Sequence, residues 1–213
     1  MIGRVPLYVF GAGGHGKVVA EAAQQGDQYL VRGYLDDDVH RRGREWNGLP
    51  VIGGREALDG LEDGAAVALG VGPNGARADV AGAVRARGRT LATVVHPTAV
   101  ISGSACVAEG TYVGPLVVLH SDAQVGRGCI VNTAVVVEHD CRIEDWVHLS
   151  PRATLGGGVH VEEGAHVGMA AIVLPGLTLG MWATLGAGAV MVRSLPAAVV
   201  AVGIPARARE VAT

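Results

Sequence analysis

An aliphatic residue recurs at every sixth position from Ile101 to Met191 in an unbroken register: Ile101, Val107, Val113, Leu119, Val125, Val131, Val137, Ile143, Leu149, Leu155, Val161, Val167, Val173, Leu179, Leu185 and Met191. Two residues before most of these stands a small side chain, as at Ala99, Ala105, Thr111, Ala123, Cys129, Cys141, Ala153, Ala165, Ala171, Ala183 and Ala189. A helix cannot bring every sixth residue onto one stripe, whereas short strands separated by turns can. The period therefore predicts a parallel β-helix with a self-stacking aliphatic core.

Composition narrows the class. The chain has 213 residues, enough for one large domain or two modest ones. Mean hydropathy is positive, at +0.34. The excess comes from Ala, Val and Gly inside the repeat, and no apolar run is long enough to span a membrane. A folded pattern starts near the first residue, with no signal-peptide layout, so a cytoplasmic location is expected. The net charge of −3 and the lack of a basic stripe with interleaved aromatics argue against nucleic acid. Cys106, Cys129 and Cys141 fall at the small inward position or beside it, and read as buried thiols rather than disulfides.

Before the repeat, strands alternate with helices. Val5 to Phe10 is β-forming, Val18 to Gln25 helical, Tyr29 to Leu35 a second strand and Pro50 to Ile52 a short third. Arg55 to Leu61 reads as helix, Ala65 to Val71 as a buried strand, Asn74 to Arg87 as helix and Thr90 to Val95 as β again. That order predicts a small parallel sheet in a Rossmann-like domain over residues 1–92, with the β-helix over 93–213. The loop Gly11-Ala12-Gly13-Gly14-His15-Gly16-Lys17 matches the dinucleotide fingerprint, with Asp36 about twenty residues on. It also resembles a P-loop, but Val18 stands where a magnesium-binding Ser or Thr belongs. Ninety residues supply only half of a full dinucleotide fold. What both patterns share is close backbone approach and a helix N-terminus that favours an anion; a tight turn with no ligand is the alternative.

Polar residues that interrupt the repeat carry the chemistry. Glu138-His139-Asp140 follows the inward Val137 and so belongs to a turn. A carboxylate beside an imidazole can orient it and raise its basicity. His148 and His166, eighteen residues apart, should stack on adjacent coils.

The whole chain resembles the bacterial sugar acyltransferases that include sialic acid O-acetyltransferases, bacillosamine-pathway UDP-sugar N-acetyltransferases and perosamine N-acetyltransferases. The resemblance rests on Tyr8 to Lys17, on Gly33-Tyr34-Leu35-Asp36-Asp37, on Gly72-Pro73-Asn74 with Arg77, and on Asn132 to Cys141. It implies a left-handed β-helix that binds acetyl-CoA between subunits of a homotrimer, and a first domain that holds a nucleotide-linked sugar. It makes His139 the catalytic base and Asp140 its acidic neighbour. His148, Gly157, Met169 and Ala187 fall where the family contacts acetyl-CoA, and Gly13, Gly14, His15, Asp36, Asp37 and Asn74 on its nucleotide-sugar site. Two departures stand out: Pro73 replaces a frequent Asn, and Ala187 a frequent Gly. Val202-Gly203-Ile204-Pro205-Ala206 is similar to the superfamily's closing segment, and the tail over Pro196 to Glu210 is expected to form a short terminal helix.

The implied reaction is direct acetyl transfer from acetyl-CoA to an amino group of a nucleotide-linked sugar, the 4-amino group of a 4-amino-4,6-dideoxy sugar being favoured. Acetylation of a hydroxyl, as in the sialic acid type, is the alternative. No metal is expected. A zinc enzyme of the β-helix carbonic anhydrase type would need three converging histidines, two of them close in sequence, and no such pair lies near His148 and His166. A non-catalytic protein that binds sugar nucleotides is the remaining alternative.

Overall fold

A computed structural model describes residues 3–209. The chain divides into two compact units. One runs to Pro97 and takes in Glu109–Tyr112; the other holds Thr98–Ala108 and the described chain from Val113 onward.

In the first unit, β1 (Val5–Phe10), α1 (Gly14–Gln25), β2 (Tyr29–Leu35), β3 (Glu45–Trp46), β4 (Leu49–Gly53), β5 (Ala66–Leu69), α2 (Asn74–Ala86) and β6 (Thr90–Leu91) follow in order. They build a sheet of order β3-β4-β2-β1-β5-β6, parallel except for the β3–β4 hairpin at its edge. Leu7, Val9, Tyr34, Leu35 and Val67 are fully buried. Burial of strands on both faces explains why these segments read as continuous apolar runs. The stretch from Arg55 is a 3-10 helix, ending at Gly60; an Ala-Leu pair flanked by Gly54 and Gly60 cannot sustain α-helical turns.

In the second unit the hexads become two-residue parallel strands, and each repeat aliphatic is the second residue of its strand, from Val100–Ile101 to Val190–Met191. Partners lie eighteen residues apart, as in Val136 with Thr154 and His148 with His166, so three strands complete one coil. This is a left-handed β-helix. Its core stacks Val137, Leu155, Val173 and Met191 in one column, each essentially without exposed surface, and the small residues two positions earlier are equally buried. Residues that precede the inward one point outward, because side chains alternate along a strand.

That alternation corrects one expectation. Cys129 and Cys141 are buried, but Cys106 is exposed, since it directly precedes inward Val107. Among the described residues the tail is also not helical. Val200–Val202 pairs antiparallel with Arg207–Ala208 across a turn that contains Gly203 and Pro205, two residues that disfavour helix; Glu210 lies outside the described residues.

Candidate active site

His139 and Asp140 occupy one turn of the β-helix. Asp140 has φ +59°, a left-handed conformation that Asp tolerates better than most side chains. Its N–H donates to the Ser121 carbonyl at 3.0 Å, and Gly158 N–H donates to the His139 carbonyl at 2.9 Å. These rungs pin the turn to the coils on either side. Asp140 Oδ2 lies 2.7 Å from His139 Nδ1. That contact places the ring proton on Nδ1 and leaves the lone pair on Nε2, the form a general base requires. The hydrogen bond to Asp140 raises the imidazole pKa above its usual value, and the negative charges of Asp140 and Glu138 add to it. Both side chains remain well exposed. Glu138 reaches the other way, with Oε1 3.7 Å from His120 Nε2.

The residues expected from the sequence to contact acetyl-CoA fall into two groups. Gly157, in the turn one coil on, lies directly beneath the His139 ring. Met169 and Ala187 lie in turns at the opposite edge of the prism face that His139 and Gly157 border, and His148 stands on a strand of the adjacent face. His148 and His166 stack with ring centroids 4.8 Å apart and planes 5° from parallel. Ser150 Oγ lies 2.8 Å from His166 Nε2. Met169 and Ala187 are exposed in successive turns, tied by the bond from Gly188 N–H to the Met169 carbonyl. Between the two groups runs a face whose outward residues are Val100, Val118, Val136, Thr154, Ile172 and Val190.

In the first unit, α1 begins at Gly14 after Gly13. Gly11 has φ +111° and a Cβ at Gly16 would overlap its carbonyl oxygen, so this strand-to-helix turn tolerates no side chain at either position. A recess of about 330 Å³ opens here, lined by Ala12, Gly13, Gly14, Lys17, Asp38, His40, Arg41, Arg44 and Trp46. The start of α1 and three cationic side chains converge on it, an arrangement suited to phosphate. Lys17, the chain's only lysine, sits 4.0 Å from the Trp46 ring centroid.

Only Gly13 and Gly14 of the substrate residues expected from sequence line this recess. Asp36 supports it from below: Oδ2 accepts from Ala12 N–H at 2.7 Å and from Arg41 at 3.0 Å, and Oδ1 from Asp38 N–H. Asp37 instead accepts from the backbone and side chain of Arg55. Asn74 Oδ1 accepts from the buried Arg77, whose other nitrogen donates to the Val71 and Gly72 carbonyls. That guanidinium fixes the loop that carries Pro73. His15 turns away, edge-on to the Tyr112 ring at 5.3 Å, and its Nε2 and the Tyr112 hydroxyl are buried without hydrogen-bond partners. Burial, then the nearby Arg77 charge, lowers the His15 pKa to about 4. Sequence reasoning passed over Arg41, Arg44, His40 and Trp46; the basic run that follows the three aspartates was the available signal.

A larger recess, of about 480 Å³, lies on the β-helix, lined by Cys106, Gln124, Arg142, Glu144, Asp145 and Glu163 among others. Its charges pair internally, Arg127 with Asp145 at 2.9 Å and His160 with Glu144 at 2.8 Å. It holds none of the expected site residues, so size does not mark the reacting centre. Among the described residues no group of three or more His, Cys, Asp or Glu side chains is arranged to hold a metal.

Residues 6–84 match the family described as the PglD N-terminal domain. A variant of perosamine N-acetyltransferase from Caulobacter crescentus, solved with CoA and GDP-perosamine, is 36% identical, with a TM-score of 0.92 over 99% of this chain and 98% of that one. This chain belongs to the bacterial sugar N-acetyltransferase family. The acetyltransferase domain of PglB from Neisseria gonorrhoeae, solved with acetyl coenzyme A, is also 36% identical, with a TM-score of 0.91 over 97% of this chain and all of that one. A UDP-N-acetylbacillosamine N-acetyltransferase from Bacillus subtilis is 40% identical over 107 residues, a match that spans 49% of this chain and about half the length of that relative. No described helix is long and apolar enough to cross a membrane.

Proposed function

We propose that the protein transfers an acetyl group from acetyl-CoA to the amino group of a nucleotide-linked amino sugar, the 4-amino group of a 4-amino-4,6-dideoxy sugar. The observation that carries this reading is the 2.7 Å contact between Asp140 and His139 Nδ1, within a family whose solved members include one holding CoA and GDP-perosamine. His139 Nε2 accepts a proton from the attacking amine as its nitrogen bonds to the thioester carbonyl carbon. Asp140 stabilises the imidazolium that forms. The tetrahedral intermediate collapses with cleavage of the C–S bond, and the coenzyme A thiolate leaves and is protonated. No acyl-enzyme is required: burial pushes the Cys141 thiol pKa up, which disfavours a thiolate there.

In this reading the loop recess of residues 1–92 binds the nucleotide diphosphate through the α1 N-terminus, Lys17, Arg41 and Arg44, with Asp36 holding Arg41 in place. Residues 93–213 bind acetyl-CoA. The two groups of candidate CoA residues flank one aliphatic face, which supports a homotrimer packed through that face. The edge with His139 and Gly157 on one subunit then meets the edge with His148, Met169 and Ala187 on the next.

The test is thiol release from acetyl-CoA with UDP-, GDP- and dTDP-linked 4-amino sugars. One of these should support turnover, and His139→Ala should lower it by about 10²- to 10⁴-fold. Near-normal turnover in that variant would overturn the assignment.

A further inference from the structure

The contact beneath His139 assigns a role to Gly157 that differs from binding acetyl-CoA. A Cβ built on Gly157 would lie 2.6 Å from both Cε1 and Nε2 of His139 and 3.2 Å from Cδ2. No real Cβ approaches a ring so closely, so any side chain at this position must displace the imidazole. The glycine is not there for its backbone: Gly157 is absent from the residues with positive φ, whereas its neighbour Gly158 has φ +69°. The backbone at 157 does not require the left-handed region that favours glycine, and the three atoms nearest to the added Cβ all belong to the imidazole.

We infer that Gly157 is a positioning residue for the base: its missing side chain lets the His139 ring seat against Asp140 and keeps Nε2 open to the substrate amine. This rests on His139 being the general base. The surroundings explain why one methyl group would matter. The ring is exposed and is held by its bond to Asp140, with little packing to resist a push from below. Relieving a 2.6 Å contact needs a movement approaching 1 Å. The imidazole can swing into solvent without disturbing the β-helix core, so the fold is spared while the reacting geometry is lost. The coil is secured at this point by contacts that do not involve the imidazole: Gly158 N–H donates to the His139 carbonyl and Gly176 N–H to the Gly157 carbonyl, both at 2.9 Å, and Cys141 Sγ donates to the Gly156 carbonyl at 3.2 Å.

The experiment compares the wild-type protein with Gly157→Ala, His139→Ala and the double variant, measuring turnover, CoA dissociation constant and thermal melting. Gly157→Ala should lower turnover about 10²-fold, the cost of a 1 Å misplacement. Its CoA affinity should stay within about 2-fold, and it should add nothing to the loss in His139→Ala, because a residue that acts through another shows no separate effect once that partner is gone. The acid limb of its pH profile should move to lower pH as the ring leaves Asp140. Unchanged turnover in Gly157→Ala, a loss explained by weaker CoA binding, or an additive loss in the double variant would each overturn the inference while leaving His139 as base. Near-normal turnover in His139→Ala would instead remove the base assignment, and this inference with it. If Gly157→Ala does not fold, the double variant decides: recovered melting identifies the ring contact as the cause, and continued failure shows that the glycine serves the backbone.

Discussion

At the scale of single residues, two histidines are tuned in opposite directions by their surroundings. His139 is exposed and bonded to a carboxylate, so its pKa is raised. The base acts only when neutral, and turnover should therefore rise with pH through that raised value. Asp140→Asn removes the charge and leaves only a weaker, neutral acceptor for Nδ1–H, so the acid limb of the pH-rate profile should move to lower pH while the maximum falls by about 10-fold or more. An unmoved limb would show that Asp140 does not set the base. His15 is neutral, its pKa lowered from 6.5 to about 4 mainly by burial. Below 6.5 the unfolded chain takes up this proton before the folded one does. Stability is thus intact above 6.5 and is lost as pH falls toward 4, by up to about 1.4 kcal/mol per pH unit for one such site. Denaturant melts of wild type and His15→Gln at pH 7 and pH 5 check this; the difference between the two pH values should shrink in the variant. The His139–Asp140 pair was legible in the sequence because adjacency in a turn is a local property. The role of Gly157 was not, because it depends on a neighbour eighteen residues away.

The element that organises the molecule is the two-residue strand with its turn. Trp146 and Trp182 sit in turns at φ +62° and +56°, and their rings lie flat against Gly128 and Gly164 in the coil before, where a Cβ would overlap the indole. Gly164→Ala must therefore bear both a left-handed backbone and a displaced ring. It should destabilise by more than the roughly 1 kcal/mol expected of left-handed alanine alone, and by less in the Trp182→Ala background. Equal losses in both backgrounds, read from denaturant melts, would exclude the ring contact. The hexads made every strand of the prism predictable, since a period read over sixteen repeats averages out local noise. The first unit offered no such repetition. Its main strands and helices were still readable, but the 3-10 turn from Arg55 was not, and neither was the hairpin that closes the second unit. Both depend on how the chain packs rather than on the propensity of a short segment.

For the whole molecule, the question is what covers the face between the two candidate CoA edges. Its outward positions are aliphatic except for Thr154, with Val100 64% and Ile172 41% exposed. A continuous aliphatic strip of this kind is the surface that self-association would bury. His139 and Gly157 lie on one side of the strip and His148, Met169 and Ala187 on the other, so in the proposed homotrimer cyclic packing would join unlike edges and complete every site with the same contact. Ile172→Glu puts a charge in the middle of the strip, pointing away from the β-helix core. It should leave the fold and its melting cooperativity intact, shift the solution mass from trimer to monomer, and abolish most turnover because no edge then meets its complement. Light scattering and thiol release on the same sample make the two readouts inseparable. A monomeric Ile172→Glu variant with wild-type turnover would mean that one subunit forms the whole site, and a trimeric one would mean that the contact lies on another face.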